Sequence, residues 1–193
     1  MKLGFIVNPI AGMGGKVGLK GTDGEEVLKK ALELGAKPES PIKAKKALEV
    51  LIPIKDQLEL YTCPDNMGEN MANELGFDTR VIGETKAKTS SKDTEKAGSQ
   101  MLDKGIELLL FAGGDGTARN IYNVIGDKIP VIGIPAGVKI HSGVYANHPR
   151  AAGEVAFKYL QGELTNVKEV EVMDIDEDAF RDGQVVAKLF GYM

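Results

Sequence analysis

The chain has 193 residues, of which 42% are hydrophobic and 27% are charged, and its formal net charge is −4. These totals describe a globular protein with room for one domain and part of another, and they exclude a broad electrostatic attraction to nucleic acid or an anionic membrane. No apolar stretch approaches the length of a membrane span, and the single cysteine, Cys63, allows no internal disulfide, so we expect a cytoplasmic protein with an inert thiol.

The first predicted strand, Leu3 to Val7, leads into a glycine-rich loop that extends from Asn8 to Gly24. A loop of this length in a compact domain is usually functional. It is not a Walker A loop, because Ile10 occupies the position of the first glycine and Val17 follows Lys16 where serine or threonine is needed. Its backbone amides can nevertheless form a nest that binds an anion.

Helices and strands alternate along the next part of the chain. Apolar spacing predicts helices after Asp23 and from Ser40, with strands at Leu58 to Thr62 and Arg80 to Gly83. A further helix is predicted to begin near Asp93-Thr94, with a serine or threonine just before it as the cap. This alternation predicts an α/β fold.

A fourth apolar run, Leu108 to Ala112, predicts a strand that is buried on both faces. The residues Gly113 to Thr117 follow directly, and a helical pattern then places apolar side chains on one face at Ala118, Ile121, Tyr122 and Ile125. The junction therefore lies at the carboxyl end of a strand and the amino end of a helix. Open α/β sheets bind ligands at such junctions, and a helix N-terminus attracts phosphate.

The aspartate in the middle of this junction, Asp115, is the candidate for chemistry. Glycines on both sides allow the backbone to approach a ligand closely, and we expect Asp115 to be exposed on the turn between them. A carboxylate in that position can hold Mg²⁺, orient a hydroxyl group or accept its proton. The alternative interpretation is a tight turn whose aspartate or threonine caps the helix.

The last part of the chain holds another strand and then a change in pattern. The predicted strand is Pro130 to Ile134, and its exit loop, Pro135 to Ser142, offers Lys139 as a phosphate contact. His141 is a weaker candidate for assisting phosphate binding. From Val167 onward, two short strands around an acidic turn predict a solvated hairpin rather than a calcium-binding loop.

The motif Gly-Gly-Asp-Gly-Thr at 113–117 resembles the signature of the superfamily that holds NAD kinases, diacylglycerol and sphingosine kinases and, more distantly, 6-phosphofructokinases. The flanking Ala118-Arg119-Asn120 looks most like the ATP- or polyphosphate-dependent NAD kinases of the ATP-NAD/AcoX group. Asn8-Pro9 followed by Ala11-Gly12, and the segment from Lys20 to Gly24, resemble the same group. The first-loop motif and the motif at 113–117 follow in the expected order on strand–loop units, and together they are more specific than either motif alone.

This resemblance implies both a fold and an activity. The fold is α/β, a Rossmann-like parallel sheet with helices on both faces. The activity is a kinase reaction that moves phosphate from ATP or polyphosphate to the 2′-hydroxyl of NAD, with Mg²⁺ as cofactor. We expect a small-molecule acceptor and no nucleic-acid partner. An exposed hairpin edge near the C-terminal end would favour a homo-oligomer.

The resemblance also implies roles for individual residues. Asp115 would be the catalytic base or a carboxylate linked indirectly to Mg²⁺. The residues implied in binding ATP or the other phosphates are Asn8, Pro9, Gly12, Gly14, Gly15, Gly113, Gly114, Gly116, Thr117, Lys139 and Ser142. Candidate substrate contacts are Lys20, Thr22, Asp23, Thr94 and Asn120. A solvated loop explains the first three of these equally well, and helix capping explains the segment around Thr94 equally well.

The chain also departs from the family pattern. Family members continue into a β-rich second domain, so we expect residues 1–165 to form the nucleotide-binding kinase domain and residues 166–193 the opening hairpin of a truncated second domain. Such a chain could be inactive alone. Val138 stands where diacylglycerol kinases carry threonine. Two alternatives therefore remain open: a lipid or other small-alcohol kinase of the same superfamily, and a non-catalytic nucleotide-binding fragment or sensor.

Overall fold

Strands and helices alternate through most of the chain in the computed structural model, which describes residues 1–13, 25–84, 89–137, 140–175 and 186–193. Two 3₁₀ helices, Glu49–Gln57 and Asp65–Met67, accompany the regular elements. In chain order, the strands and α-helices are β1 Lys2–Val7, α1 Glu25–Glu33, α2 Ser40–Leu48, β2 Glu59–Thr62, α3 Glu69–Glu74, β3 Thr79–Val81, α4 Ser91–Asp103, β4 Leu108–Gly113, α5 Asp115–Ile125, β5 Val131–Pro135, α6 Pro149–Leu160, β6 Glu171–Ile175 and β7 Ala187–Tyr192.

The main sheet has five parallel strands in the order β3-β2-β1-β4-β5. Because the chain returns to the centre after β3, the strand order reverses between β1 and β4. The register pairs Val7 with Ala112 and Gly113 with Pro135, so β1, β4 and β5 end at the same edge. The predicted Rossmann-like α/β fold is therefore confirmed, and ligands of such sheets bind where the strand order reverses.

Two hydrophobic clusters cover the two faces of this sheet. Along β4, Leu108 and Leu110 join α2 and α6 on one face, while Leu109 and Phe111 join α4 and α5 on the other. All six residues of β4 are buried, as predicted for a strand covered on both sides. Because α5 follows directly after this buried strand and packs against it, its position is fixed by the core.

The second sheet is the antiparallel pair β6 and β7. Val172 is fully buried against the cluster that contains α5, and Gly191 lies on Tyr122 so closely that an added Cβ would overlap the phenol oxygen. The two predicted strands are confirmed, but Asp174 and Ile175, which were predicted to begin a solvated acidic turn, lie in β6 instead, and Asp174 is only 15% exposed. The rest of the predicted turn lies outside the described residues. The domain boundary at residue 165 stays a prediction.

Cys63 gives a first testable expectation. Its side chain is 2% exposed, and burial, with a smaller contribution from Asp93, raises the pKa of the thiol to about 12. The thiolate is the reactive form, so we expect the native protein to react with an aromatic disulfide reagent at least about 10²-fold more slowly than the urea-unfolded chain. Absorbance of the released thiol measures both rates, and equal rates would contradict this placement of Cys63.

Candidate functional site

Three loops meet at the edge of the sheet where β1, β4 and β5 end. The Asn8 N–H donates to the Ala112 carbonyl at 2.9 Å, which holds the loop after β1 against β4. The N–H groups of Ala136 and Gly137 both donate to the Gly113 carbonyl at 2.9 Å, which holds the loop after β5. Neighbouring parallel strands bring their exits together in this way.

Glycines allow these loops to touch through their backbones. Gly12 has φ +78°, and a Cβ there would overlap the carbonyl oxygen of Ala136. A Cβ on Gly137 would lie 2.8 Å from the Cα atom of Gly114, which is closer than real Cβ atoms approach. The sequence predicts close approach to a ligand for the glycines around Asp115, and the family resemblance implies that Gly12 binds phosphate. The structure shows that contact between the loops themselves already requires Gly12 and Gly137.

Asp115, the first residue of α5, is bound by the loop after β5. Its Oδ1 accepts hydrogen bonds from the Ser142 N–H at 3.0 Å and the Ser142 hydroxyl at 2.7 Å. Its Oδ2 accepts from the His141 N–H at 2.8 Å and lies 3.0 Å from the His141 Nδ1 atom. Only 6% of Asp115 is exposed, so the expectation of an exposed aspartate is wrong. The loop closes over the carboxylate because it offers four donor groups to it.

Ser142 extends this network to the second sheet. Its hydroxyl oxygen accepts from the Met173 N–H at 2.9 Å, and the Met173 carbonyl lies 2.9 Å away. The single hydroxyl proton goes to the nearer, charged acceptor, Asp115. The predicted site residue Ser142 therefore lies beside Asp115, where it joins α5 to β6.

Asn8 and Thr117, both predicted site residues, form one brace inside the site. The Asn8 Nδ2 group donates to the Thr117 hydroxyl at 3.0 Å, and the Ile10 N–H donates to Asn8 Oδ1 at 3.2 Å. The Thr117 N–H donates to the Gly114 carbonyl at 2.8 Å, which closes the first turn of α5. A Cβ on Gly113 would overlap the Thr117 side chain, so only glycine fits there.

Tyr145 is a residue of the site that sequence reasoning missed. Its hydroxyl donates to the Gly114 carbonyl at 2.6 Å, and its ring meets Phe111 edge-on at 5.5 Å. Burial, followed by the negative charges of Asp115 and Asp174, raises the pKa of the Tyr145 phenol well above its ordinary value. The phenol is therefore a permanent hydrogen-bond donor. No local pattern marks this tyrosine, because its contacts lie more than twenty residues back along the chain.

A family model for the ATP-NAD kinase N-terminal domain matches residues 3–164. The chain belongs to the ATP-NAD kinase N-terminal domain family. Comparison with curated proteins gave no significant match. The matched range begins in β1 and ends after α6, so it contains the parallel sheet and the three loops described above. Family membership identifies an NAD kinase-like phosphotransferase in general terms and implies NAD as a substrate.

Beyond the range matched by the family, the second sheet contacts α5 through Arg119. Its guanidinium lies 3.0 Å from Asp174 Oδ2 and 5.1 Å from the centre of the Phe190 ring. Both partners of this ion pair are largely shielded, with 29% and 15% of their side chains exposed. The family-like segment at 118–120 therefore provides an anchor for β6 and β7.

This anchor gives a second testable expectation. A double-mutant cycle with Arg119→Ala and Asp174→Ala should give a coupling free energy of about 1–2 kcal/mol, because the shielded pair is poorly screened by solvent. The control is Arg150 with Glu154, whose atoms are also 3.0 Å apart but whose side chains are 74% and 49% exposed. Its coupling should stay below about 0.5 kcal/mol. Urea unfolding measures both cycles, and equal couplings would contradict the anchoring role.

Several predicted residues remain without a described role at the site. Thr94 is buried at 4% exposed in α4, Asn120 is half-buried on α5, and Pro9 lies half-buried in the loop after β1. Gly116 has room for a Cβ, with Asp174 as its nearest contact at 3.7 Å. The predicted residues that lie outside the described part of the chain are Gly14, Gly15, Lys20, Thr22, Asp23 and Lys139. Their roles stay predictions.

A magnesium ion held by protein side chains alone does not fit the described residues. Among them, no three histidine, cysteine, aspartate or glutamate side chains come together as a metal site. The oxygens of Asp115 already accept four hydrogen bonds, so they offer no free lone pair to a cation.

Among the described residues, no helix is long and apolar enough to cross a membrane.

Proposed function

We propose that this chain transfers a phosphoryl group from ATP or polyphosphate to the 2′-hydroxyl of NAD. One observation carries the proposal: in a chain of the NAD kinase family, the Asp115 carboxylate is held in a fixed network at the point where the strand order of the sheet reverses. Preorganised groups at such a point position substrates and stabilise developing charge, which is how phosphoryl transfer is mainly catalysed.

The phosphate groups would bind at the N-terminus of α5. The first N–H groups of an α-helix lack partners within the helix, and the helix dipole favours negative charge there. Gly116 has no crowding side chain in this turn, and its N–H is one of these groups. The proposed phosphate-binding surface comprises Gly113, Gly114, Gly116 and Thr117 together with Asn8, Pro9 and Gly12, and Gly14, Gly15 and Lys139 are proposed to complete it.

Magnesium would arrive as the complex with the donor phosphates, because the described side chains do not form a site for it. Asp115 would contribute through the groups that it holds rather than by binding the ion directly. Ser142 is proposed with the phosphate-binding residues, and the remaining proposed substrate contacts are Lys20, Thr22, Asp23, Thr94 and Asn120. A cytoplasmic location and a homo-oligomeric state stay predictions.

The test is an assay for NADP with the purified chain, Mg²⁺, NAD and either ATP or polyphosphate. A parallel reaction uses 2′-deoxy-NAD, which lacks the proposed acceptor oxygen. Formation of NADP from NAD, with no phosphate transferred to the deoxy compound, would support the proposal and identify the donor. Transfer to a lipid or another alcohol but not to NAD would favour the other kinases of the superfamily. Binding of NAD or ATP without turnover would favour a sensor.

A further inference from the structure

The outer edge of β3 is unpaired within the described part of the chain. β3 is the last strand on its side of the main sheet, and its partner there is β2. The Ile82 N–H donates to the Thr62 carbonyl at 2.7 Å, which shows which backbone groups face β2. Because the backbone groups of a strand alternate between its two edges, those of Thr79 and Val81 point away from the sheet. An edge of this kind can pair with a strand of another chain.

Two opposite charges lie on one face of this edge. Asp78 directly precedes β3, and Arg80 is the middle residue of the strand. Residues two apart in a strand share a face, and the guanidinium of Arg80 lies 3.5 Å from the carboxylate of Asp78. The two side chains are 53% and 77% exposed, and Val81 on the opposite face is 43% exposed. A partner strand can therefore reach both charges and an apolar side chain.

We propose that this edge is the interface of a homodimer, in which β3 pairs antiparallel with β3 of a second copy about a two-fold axis at Thr79. A two-fold axis repeats every contact, so Asp78 of each copy lies opposite Arg80 of the other. The outward N–H and C=O groups of Thr79 bond to those of Thr79 in the second copy. The two main sheets then form one continuous sheet.

The charges select this register from its neighbours. A shift of one strand by a single residue would place outward backbone groups opposite inward ones, so the neighbouring registers differ by two residues. A shift of two residues moves the axis to Asp78 or to Arg80, and that residue then faces its own copy. Like charges directly opposite each other destabilise a sheet, whereas opposite charges stabilise it. Only an axis at Thr79 satisfies both the backbone groups and the charges.

The same reasoning identifies the partner as a second copy of this chain. Reversal of the sequence Asp78-Thr79-Arg80 about its middle residue exchanges the two charges, so the segment is complementary to itself. On the opposite face, the exposed Val81 would lie opposite Phe77 of the second copy. β2 lies between β3 and the strands whose exits form the candidate site, so this pairing does not use the residues proposed to bind phosphate.

The test measures the dissociation constant of the dimer by analytical ultracentrifugation of the full chain. Arg80→Asp and Asp78→Arg each place like charges opposite each other at both symmetric contacts. Each variant should therefore raise the dissociation constant by about 10-fold or more. An equimolar mixture of the two variants should form a heterodimer, because both contacts then join opposite charges. The double variant, which exchanges the two residues within one chain, should form a homodimer about as tightly as the unmutated chain.

The control is Arg150→Asp, which makes the same change of charge at an exposed arginine of α6 and should leave the dissociation constant unchanged. Circular dichroism confirms that each variant is folded. The proposal is overturned by an unmutated chain that is monomeric at every concentration, by single variants that dimerise as tightly as the unmutated chain, or by a mixture that forms no heterodimer. The measurement needs no turnover, so its outcome is separate from that of the proposed phosphoryl transfer.

Discussion

Replacement of Asp115 by asparagine is expected to lower kcat for NADP formation by about 10²–10⁴-fold, the range that general acid–base catalysis supplies. Asparagine has nearly the same shape, but its amide presents an NH₂ group in place of one carboxylate oxygen. Ser142 and His141 each direct donors at one oxygen. In either orientation of the amide, its NH₂ group therefore faces the hydrogen-bond donors of Ser142 or of His141. The loop after β5 or the imidazole then loses its fixed position.

The measurement is the steady-state rate at saturating NAD and donor, with circular dichroism to confirm that the variant is folded. Asp127→Asn is the matched control, because it makes the same chemical change at an exposed aspartate just after α5. Its kcat should stay within about twofold of the unmutated value, as is usual for a surface substitution. An equal kcat for the unmutated chain and Asp115→Asn would contradict the role of the carboxylate network.

Replacement of Gly12 by alanine is expected to lower the free energy of unfolding by about 3 kcal/mol and to weaken the binding of ATP, a proposed phosphoryl donor. A left-handed φ costs an alanine about 1–2 kcal/mol. At Gly12, where φ is +78°, the new Cβ would also overlap the Ala136 carbonyl oxygen and push the loop after β1 away from the loop after β5. Backbone strain and steric overlap therefore add at this position.

Gly35→Ala separates these two contributions. Gly35 has φ +82°, almost the same conformation, but nothing lies within 4 Å of an added Cβ. Its alanine variant should lose only the conformational cost of about 1–2 kcal/mol and should bind the donor normally. Urea unfolding and calorimetric titration with ATP measure both properties. If the two variants lose the same stability and keep the same affinity, the contact between the loops is not needed at the site.

The architecture is predictable from local pattern, and the centre of the site is only partly so. The apolar residues of β4 form a continuous run because the strand is buried on both faces. Those of α5 recur at helical spacing because the helix is buried on one face, so the two patterns predict the positions of both elements. The donors to Asp115 come from His141 and Ser142, which lie 26 and 27 residues further along the chain. No local pattern reports such a contact, so the sequence suggests an exposed aspartate where the folded chain encloses one.

The same limit explains the glycines and Tyr145. Residue type alone shows that a position needs backbone freedom, but it does not show which atoms approach. At Gly12 the neighbouring group is a carbonyl oxygen of another loop. The phenol of Tyr145 donates to Gly114 across 31 residues of chain, a contact that depends on how the segment after β5 returns to the sheet.

The brace between Asn8 and Thr117 has a kinetic consequence. These two residues are 109 positions apart in the chain, so we expect their hydrogen bond to form only after β1 and β4 have paired. The pairing of the strands and the burial of their apolar faces first offset the entropy that is lost when this long loop closes. Substitutions at the brace should therefore accelerate unfolding and leave the folding rate nearly unchanged, which gives φ-values close to zero. We therefore expect the edge of the sheet that carries this brace to be among the last parts of the molecule to become native.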